Sequence, residues 1–236
     1  MKLRTIPFIG GASYSSKVLG IETANLIAYW PMNEAAGAVA DNLEGTAARD
    51  GAYTGVTLGQ PGIGDGNTCP LFDGANDFND IYSVSFRDAF NAAEGTLMVW
   101  AKPTDWAAGN RFCVGLQVDG TNIIQIDRNT ATLRWIHIAG AVTDLVQKAA
   151  MAETGWMCLG MTWSAAGDAL KAYYNGTQEG VTQATLGVWA GTLHMARTTI
   201  GAGTTVPGNP WEGYLAHCAV WTTPLTAPQM AALAVV

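Results

Sequence analysis

The chain of 236 residues and 24.8 kDa is long enough for one large domain with a sizeable core. Hydrophobic residues make up 49% and charged residues only 13%, a balance that excludes disorder. The net charge of −7 and a pI near 4.8 argue against nucleic acid or an anionic membrane as partner.

Residues 1–24 lack a sustained period and are rich in Gly, Ser and Thr. Lys2 and Arg4 precede a short apolar stretch, but Pro7, Gly10 and Gly11 interrupt it, which makes a poor secretory leader. The expectation is an extended, uncleaved N-terminal arm over residues 1–24 and one domain over 25–236. No run approaches the ~18 apolar residues of a membrane span.

From Leu26 onward the apolar period is two, the signature of strands. It predicts strands at 26–30, 82–86, 97–102, 111–118, 132–138, 156–163, 170–174, 193–200 and 214–221. In the last of these, Tyr214, Ala216, Cys218 and Val220 are expected on one face. Asp119-Gly120 and Asn175-Gly176 suit the positive φ angles of type I′ hairpin turns. Many short strands joined by such turns predict an all-β, two-sheet antiparallel sandwich or jelly roll. Trp30, Trp100, Trp163 and Trp221 recur in strand patterns and are expected to fill the gap between the sheets. Helix is confined to short pieces, the clearest being the C-terminal TAPQMAALAVV, with Thr226 as N-cap and Pro228 in the first turn. Cys69, Cys113, Cys158 and Cys218 form no C-x-x-C pair and read best as buried, reduced thiols.

Several segments, taken in order, resemble the laminin-G-like, concanavalin-A-like jelly-roll family. They are LIAYWPMNEAAG at 26–37, RDGAY at 49–53, LFDGANDF at 71–78, GTLMVWAKP at 95–103, the strand at 155–163, KAYYNG at 171–176 and the stretch 211–233. Each piece is weak alone; their order and spacing over 26–234 carry the resemblance. It implies a concanavalin-A-like jelly roll, with the extended arm in front and a short helix at the end.

The resemblance also implies chemistry to look for. Laminin-G-like domains often bind calcium through an early-loop Asp and a final-strand Asp. Here Asp41, Asp73 and Asp77 are available, with Asp73 and Asp77 the expected ligands, but the final-strand position is Ala216. The other reading is that these carboxylates cap turns. No other cofactor is expected. Jelly-roll glycosidases carry a compact E-x-D-x-E pattern on one strand, and this chain has none; its glutamates are isolated. Nor is there a G-x-S-x-G or H-E-x-x-H motif, and His137, His194 and His217 read as core or surface histidines.

Sugar binding needs exposed aromatic faces with polar neighbours. Trp106, Trp189 and Trp211 fall in loop-like segments, with Asp105, Asn110 and Asn209 near them in sequence. They could stack on a pyranose or equally anchor a subunit interface. The leading expectation is a non-enzymatic structural or decoration subunit of a tailed-bacteriophage virion. Its partners would be other virion subunits, itself as a homo-oligomer, and surface glycans, with no nucleic acid and no membrane. The low charge content motivates it, since charged residues are depleted where subunits meet. The alternative is a secreted or cell-surface carbohydrate-binding module, extracellular and with a neutral Ser/Thr/Asn/Gly exterior; a glycoside hydrolase stands third.

Overall fold

The computed structural model describes residues 13–107 and 109–236. In chain order these form α1 (Tyr14–Gly20), β1 (Leu26–Trp30), β2 (Val39–Ala40), β3 (Gly51–Thr54), β4 (Thr57–Pro61), β5 (Thr68–Asp73) and β6 (Phe78–Asp80). Then follow α2 (Val84–Ala89), β7 (Glu94–Pro103), β8 (Asn110–Gln117), β9 (Ile123–Asn129), β10 (Thr132–Ala139) and β11 (Val142–Lys148). The last elements are β12 (Met157–Ser164), β13 (Ala169–Tyr174), β14 (Thr177–Gln183), β15 (Thr198–Ile200), β16 (Glu212–Trp221) and α3 (Ala227–Leu233).

The strands make two antiparallel sheets, as the sequence pattern requires. The first runs β14-β13-β12-β7-β16-β5-β4, with β1 also paired to β16; the second runs β11-β10-β9-β8-β15-β6-β3-β2. Between them lies a core that includes Trp30, Leu97, Val99, Leu159, Met161 and Trp163 from the first sheet and Val114, Ile124, Ile126 and Trp135 from the second. Strict alternation along β7 sends Leu97, Val99 and Ala101 into this core. Met98 and Trp100 point the other way, into a second apolar layer built with Tyr14 and Val18 of α1 and Met230 and Leu233 of α3. The central strands of the first sheet are therefore buried on both faces. Trp100 and Trp221 belong to that second layer, not to the gap between the sheets where the sequence pattern put them.

The expected N-terminal arm is not extended over its described part. Ser13 accepts a hydrogen bond from the Ser16 amide and caps α1. Tyr14 and Val18 are buried against the first sheet. The Trp100 indole N–H donates to Tyr14 Oη at 2.6 Å, and Tyr14 Oη–H donates to the Leu233 carbonyl at 2.6 Å, tying α1 to α3. Residues 1–12 of the expected arm lie outside the described residues.

Three further local expectations are corrected. The stretch 82–86 is not a strand: Ser83 accepts from the Phe86 amide and starts α2, and only Phe86 of that helix is fully buried, edge-on to Trp30 at 5.3 Å. Asp119-Gly120 is not a type I′ turn. The connection from β8 to β9 is five residues long, closed by Val118 N–H to the Asn122 carbonyl, with Asp119 Oδ1 accepting from the Thr121 amide. Asn175-Gly176, by contrast, has φ of 47° and 78° and joins the paired Tyr174 and Thr177. In β16 a bulge at His217 (φ 51°) breaks the alternation, so Leu215, Cys218 and Val220 face the inter-sheet core while Ala216, Ala219 and Trp221 face the helices. The C-terminal helix is as expected: Thr226 and Gln229 form a reciprocal capping box.

Candidate functional site

The residues expected to meet a ligand do not form one site. Trp211 is fully buried in the inter-sheet core, so it offers no face to a sugar. Trp106 is half-buried and its indole N–H donates to the Glu153 carbonyl at 2.9 Å. Both rings flank the Arg128 guanidinium, at 5.6 and 5.8 Å. Asn110 is held in a different network, where its Oδ1 accepts from Arg134 Nη2. Asn209 is exposed, with φ 55°, and its carbonyl accepts from the Phe112 amide. Arg128 was legible in principle: Ile124, Ile126 and Arg128 share the inward face of β9.

Asp73 and Asp77 act locally. Asp73 Oδ1 accepts from the Ala75 and Asn76 amides, and Asp77 Oδ2 accepts from the Asp73 amide at 2.8 Å. Burial raises the Asp77 carboxyl above its ordinary range, although the Asp73 amide opposes this. Among the described residues no three His, Cys, Asp or Glu side chains gather as a metal would need. Ala216 at the final-strand position supplies no side-chain oxygen.

Trp189 lies on a pocket. The pocket measures about 420 Å³ and is lined by Asn91, Ala92 and Ala93, by His137 of β10, by Ala165, and by Leu186 to Trp189. It joins four separate stretches of chain, and each is pinned. Trp163 Nε1–H donates to the Ala92 carbonyl and the Ala165 amide to the Ala93 carbonyl. Asp168 Oδ1 accepts from the amides of Thr185 and Leu186, and Asn122 Oδ1 from the amides of Gly140 and Ala190. Gly187 lies so close to β10 that a Cβ there would fall 1.9 Å from the Ala139 carbonyl oxygen. The Trp189 ring is half-buried, 6.1 Å from Phe90 and 6.5 Å from His137.

His137 pairs in register with Asp144 on β11, and both side chains point inward. His137 is only 2% exposed. Its Nδ1 has no hydrogen-bond partner and lies 3.9 Å from Asp144 Oδ2, which has none either. That separation is too long for a hydrogen bond. Burial pushes the imidazole down to about 4, so it is neutral near pH 7 and the two do not form an ion pair. Burial, and then the charge of Asp168, raise the Asp144 carboxyl. Sequence reasoning set His137 aside because nothing local distinguishes it; only the fold brings it opposite Trp189. The pocket and the Trp106–Arg128 cluster sit at opposite ends of the β9–β10 pair, for Arg128 faces Leu133 whereas His137 faces Ile124.

A sequence model of the concanavalin A-like lectin/glucanases superfamily matches residues 73–231, and the chain belongs to that superfamily. No curated protein matches it. Among solved structures, it resembles domain 4 of AbnA, an extracellular arabinanase of Geobacillus stearothermophilus solved with arabinotriose. The TM-score is 0.65 at 15% identity, covering 89% of this chain and 98% of that one. It also resembles the Trypanosoma rangeli sialidase in complex with the inhibitor DANA (TM-score 0.66, 12% identity, 89% of this chain), but spans only 32% of that enzyme. The binding domain of botulinum neurotoxin serotype D gives a TM-score of 0.63 at 11% identity over 90% of this chain and 52% of that one. The fold is thus one that carbohydrate-active enzymes and binding domains share.

Proposed function

We propose that this chain is a non-enzymatic carbohydrate-binding module that takes a sugar in the Trp189–His137 pocket. The observation that carries the reading is the half-buried indole of Trp189 lining a half-open pocket whose wall also includes Asn91 and a buried imidazole. A ring face with a few fixed polar groups in an otherwise apolar cleft is the usual form of a small-ligand site.

Two arrangements support a binding role over hydrolysis. Glycosidases need two carboxyl groups within about 10 Å, and no Asp or Glu lines the pocket. On the outer face of the second sheet, Asp127 is locked by Arg134 through bonds of 2.7 and 2.9 Å. Asp80, on the same face, is three strands away along β9-β8-β15-β6, or roughly 14 Å at the usual strand spacing.

The setting we propose is a virion, as a structural or decoration subunit of a tailed bacteriophage. Charged residues at 13% suit a surface that neighbouring subunits cover. The four free, buried cysteines suit assembly in a reducing compartment better than secretion.

Tryptophan fluorescence titrated with a panel of neutral and acidic sugars tests the binding role. Quenching that disappears in Trp189→Ala, without release of reducing ends, is the expected result; sugar hydrolysis by the native protein overturns it. For the setting, peptides of this chain should co-sediment with capsid protein in purified particles. Recovery only as free protein overturns that part.

A further inference from the structure

Resting on the reading above, we infer that the pocket selects a neutral N-acetylhexosamine over the parent hexose and over acidic sugars. Three features of the wall lead there. First, the walls carry no Lys or Arg. An acidic sugar would bring an unpaired carboxylate into a partly apolar cleft, next to the Asp144 side chain behind His137 and near Asp168 in the flanking loop. A buried charge without a partner is strongly disfavoured.

Second, several of the lining residues carry methyl groups. Ala92, Ala93 and Ala165 are brought together by the Ala165 amide bond to the Ala93 carbonyl, and Leu186 and Val188 extend the apolar lining. A plain hexose turns hydroxyls toward such a wall and leaves them unsatisfied, whereas an acetamido group turns a methyl toward it. Third, a donor suited to an amide carbonyl is at hand. Asn91 Oδ1 is occupied by the Ala93 amide, which fixes the side chain and leaves the Nδ2 protons for a ligand acceptor. His137 adds a buried imidazole to the lining. The volume of about 420 Å³ suits a single substituted ring more than a long oligosaccharide.

The experiment uses the full chain and Trp189 fluorescence, with glucose, N-acetylglucosamine, galactose, N-acetylgalactosamine, fucose, N-acetylneuraminic acid and glucuronic acid as probes. The N-acetylhexosamines should bind at least tenfold more tightly than their parent hexoses and than either acid. Ala165→Leu, at an exposed position whose enlargement leaves the core alone, should erase that ratio by filling the methyl wall. Equal binding of hexose and N-acetylhexosamine, or a preference for fucose or an acid, all lost in Trp189→Ala, overturns this inference and leaves the carbohydrate reading standing. An unquenched indole with every probe overturns both.

Discussion

Tyr29 and His217, 188 residues apart, share a 2.7 Å hydrogen bond between the phenol and ring Nδ1. His217 Nε2 lies 3.3 Å from Asp65 Oδ2, and Ser15 of α1 lies 3.0 Å from the same phenol oxygen. One buried chain of polar groups thus joins α1, β1, the bulge of β16 and the loop between β4 and β5. Burial alone would raise the Asp65 carboxyl, but hydrogen bonds from His217 and Asn67 outweigh it and hold the group down at about 2. Asp65→Ala should cost about 1–3 kcal/mol by leaving a ring nitrogen of His217 unpaired. Chemical denaturation checks this, and limited proteolysis should show α1 released before the sheets open.

Arg134 and Asp127 form a two-bond pair on the outer face of the second sheet, and Asp127 is fully buried beneath it. Arg134→Ala should destabilise by about 3 kcal/mol, because it leaves a buried carboxylate without its cation. The double change Arg134→Met with Asp127→Leu should recover much of the loss. If the single and double variants melt together, the pair does not work this way.

Stability should respond to pH through His137. Its folded value is about 4 against an ordinary 6.5. The unfolded chain therefore takes up a proton below pH 6.5 that the folded chain refuses until about 4. The contribution is complete above pH 6.5 and falls away as the pH drops through that window. The expected loss is about 2 kcal/mol between pH 7.5 and 5. Melting curves of the native protein and of His137→Gln should differ in slope over that range and run parallel above it.

Gly187→Ala should separate the pocket loop from β10, since the new methyl would meet the Ala139 carbonyl oxygen at 1.9 Å and Val142 Cβ at 2.8 Å. The expected cost is about 1–3 kcal/mol, with sugar binding weakened at least tenfold. Gly155→Ala is the control, because nothing lies within 4 Å of its Cβ position.

The four thiols should resist modification. Burial pushes Cys69 and Cys158 up to about 12 and Cys113 and Cys218 higher than the ordinary thiol range. A disulfide reagent should label none in the native protein at pH 8 and all four after denaturation.

The two-sheet fold was legible in the sequence because its alternating runs are long: Leu26–Trp30 was placed to the residue, and Leu97 to Lys102 fell inside β7. Tyr82, Val84 and Phe86 imitate that alternation over too few residues, and the Ser83 cap decides for helix. The bulge at His217 was invisible because period-two reasoning assumes no inserted residue. Of the expected ligand residues, Trp189 was singled out by its loop context and lies on the pocket. Trp211 was misplaced by the same argument, since a loop-like composition does not reveal that the ring turns inward. His137, Asn91 and Ala165 carry no local mark, for the pocket exists only where four segments meet.

The two-sided burial of the first sheet has a dynamic consequence. Amides in the middle of β7 and β16 are shielded by side chains above and below and by paired strands on either flank. Their deuterium uptake should await opening of the entire molecule, whereas β14, an outlying strand with mostly exposed side chains, should exchange through local fraying. The second sheet, whose far side carries no helix layer among the described residues, should fall between these limits. The molecule would then behave as a stiff spine carrying a softer front, with the pocket hung on the softer side.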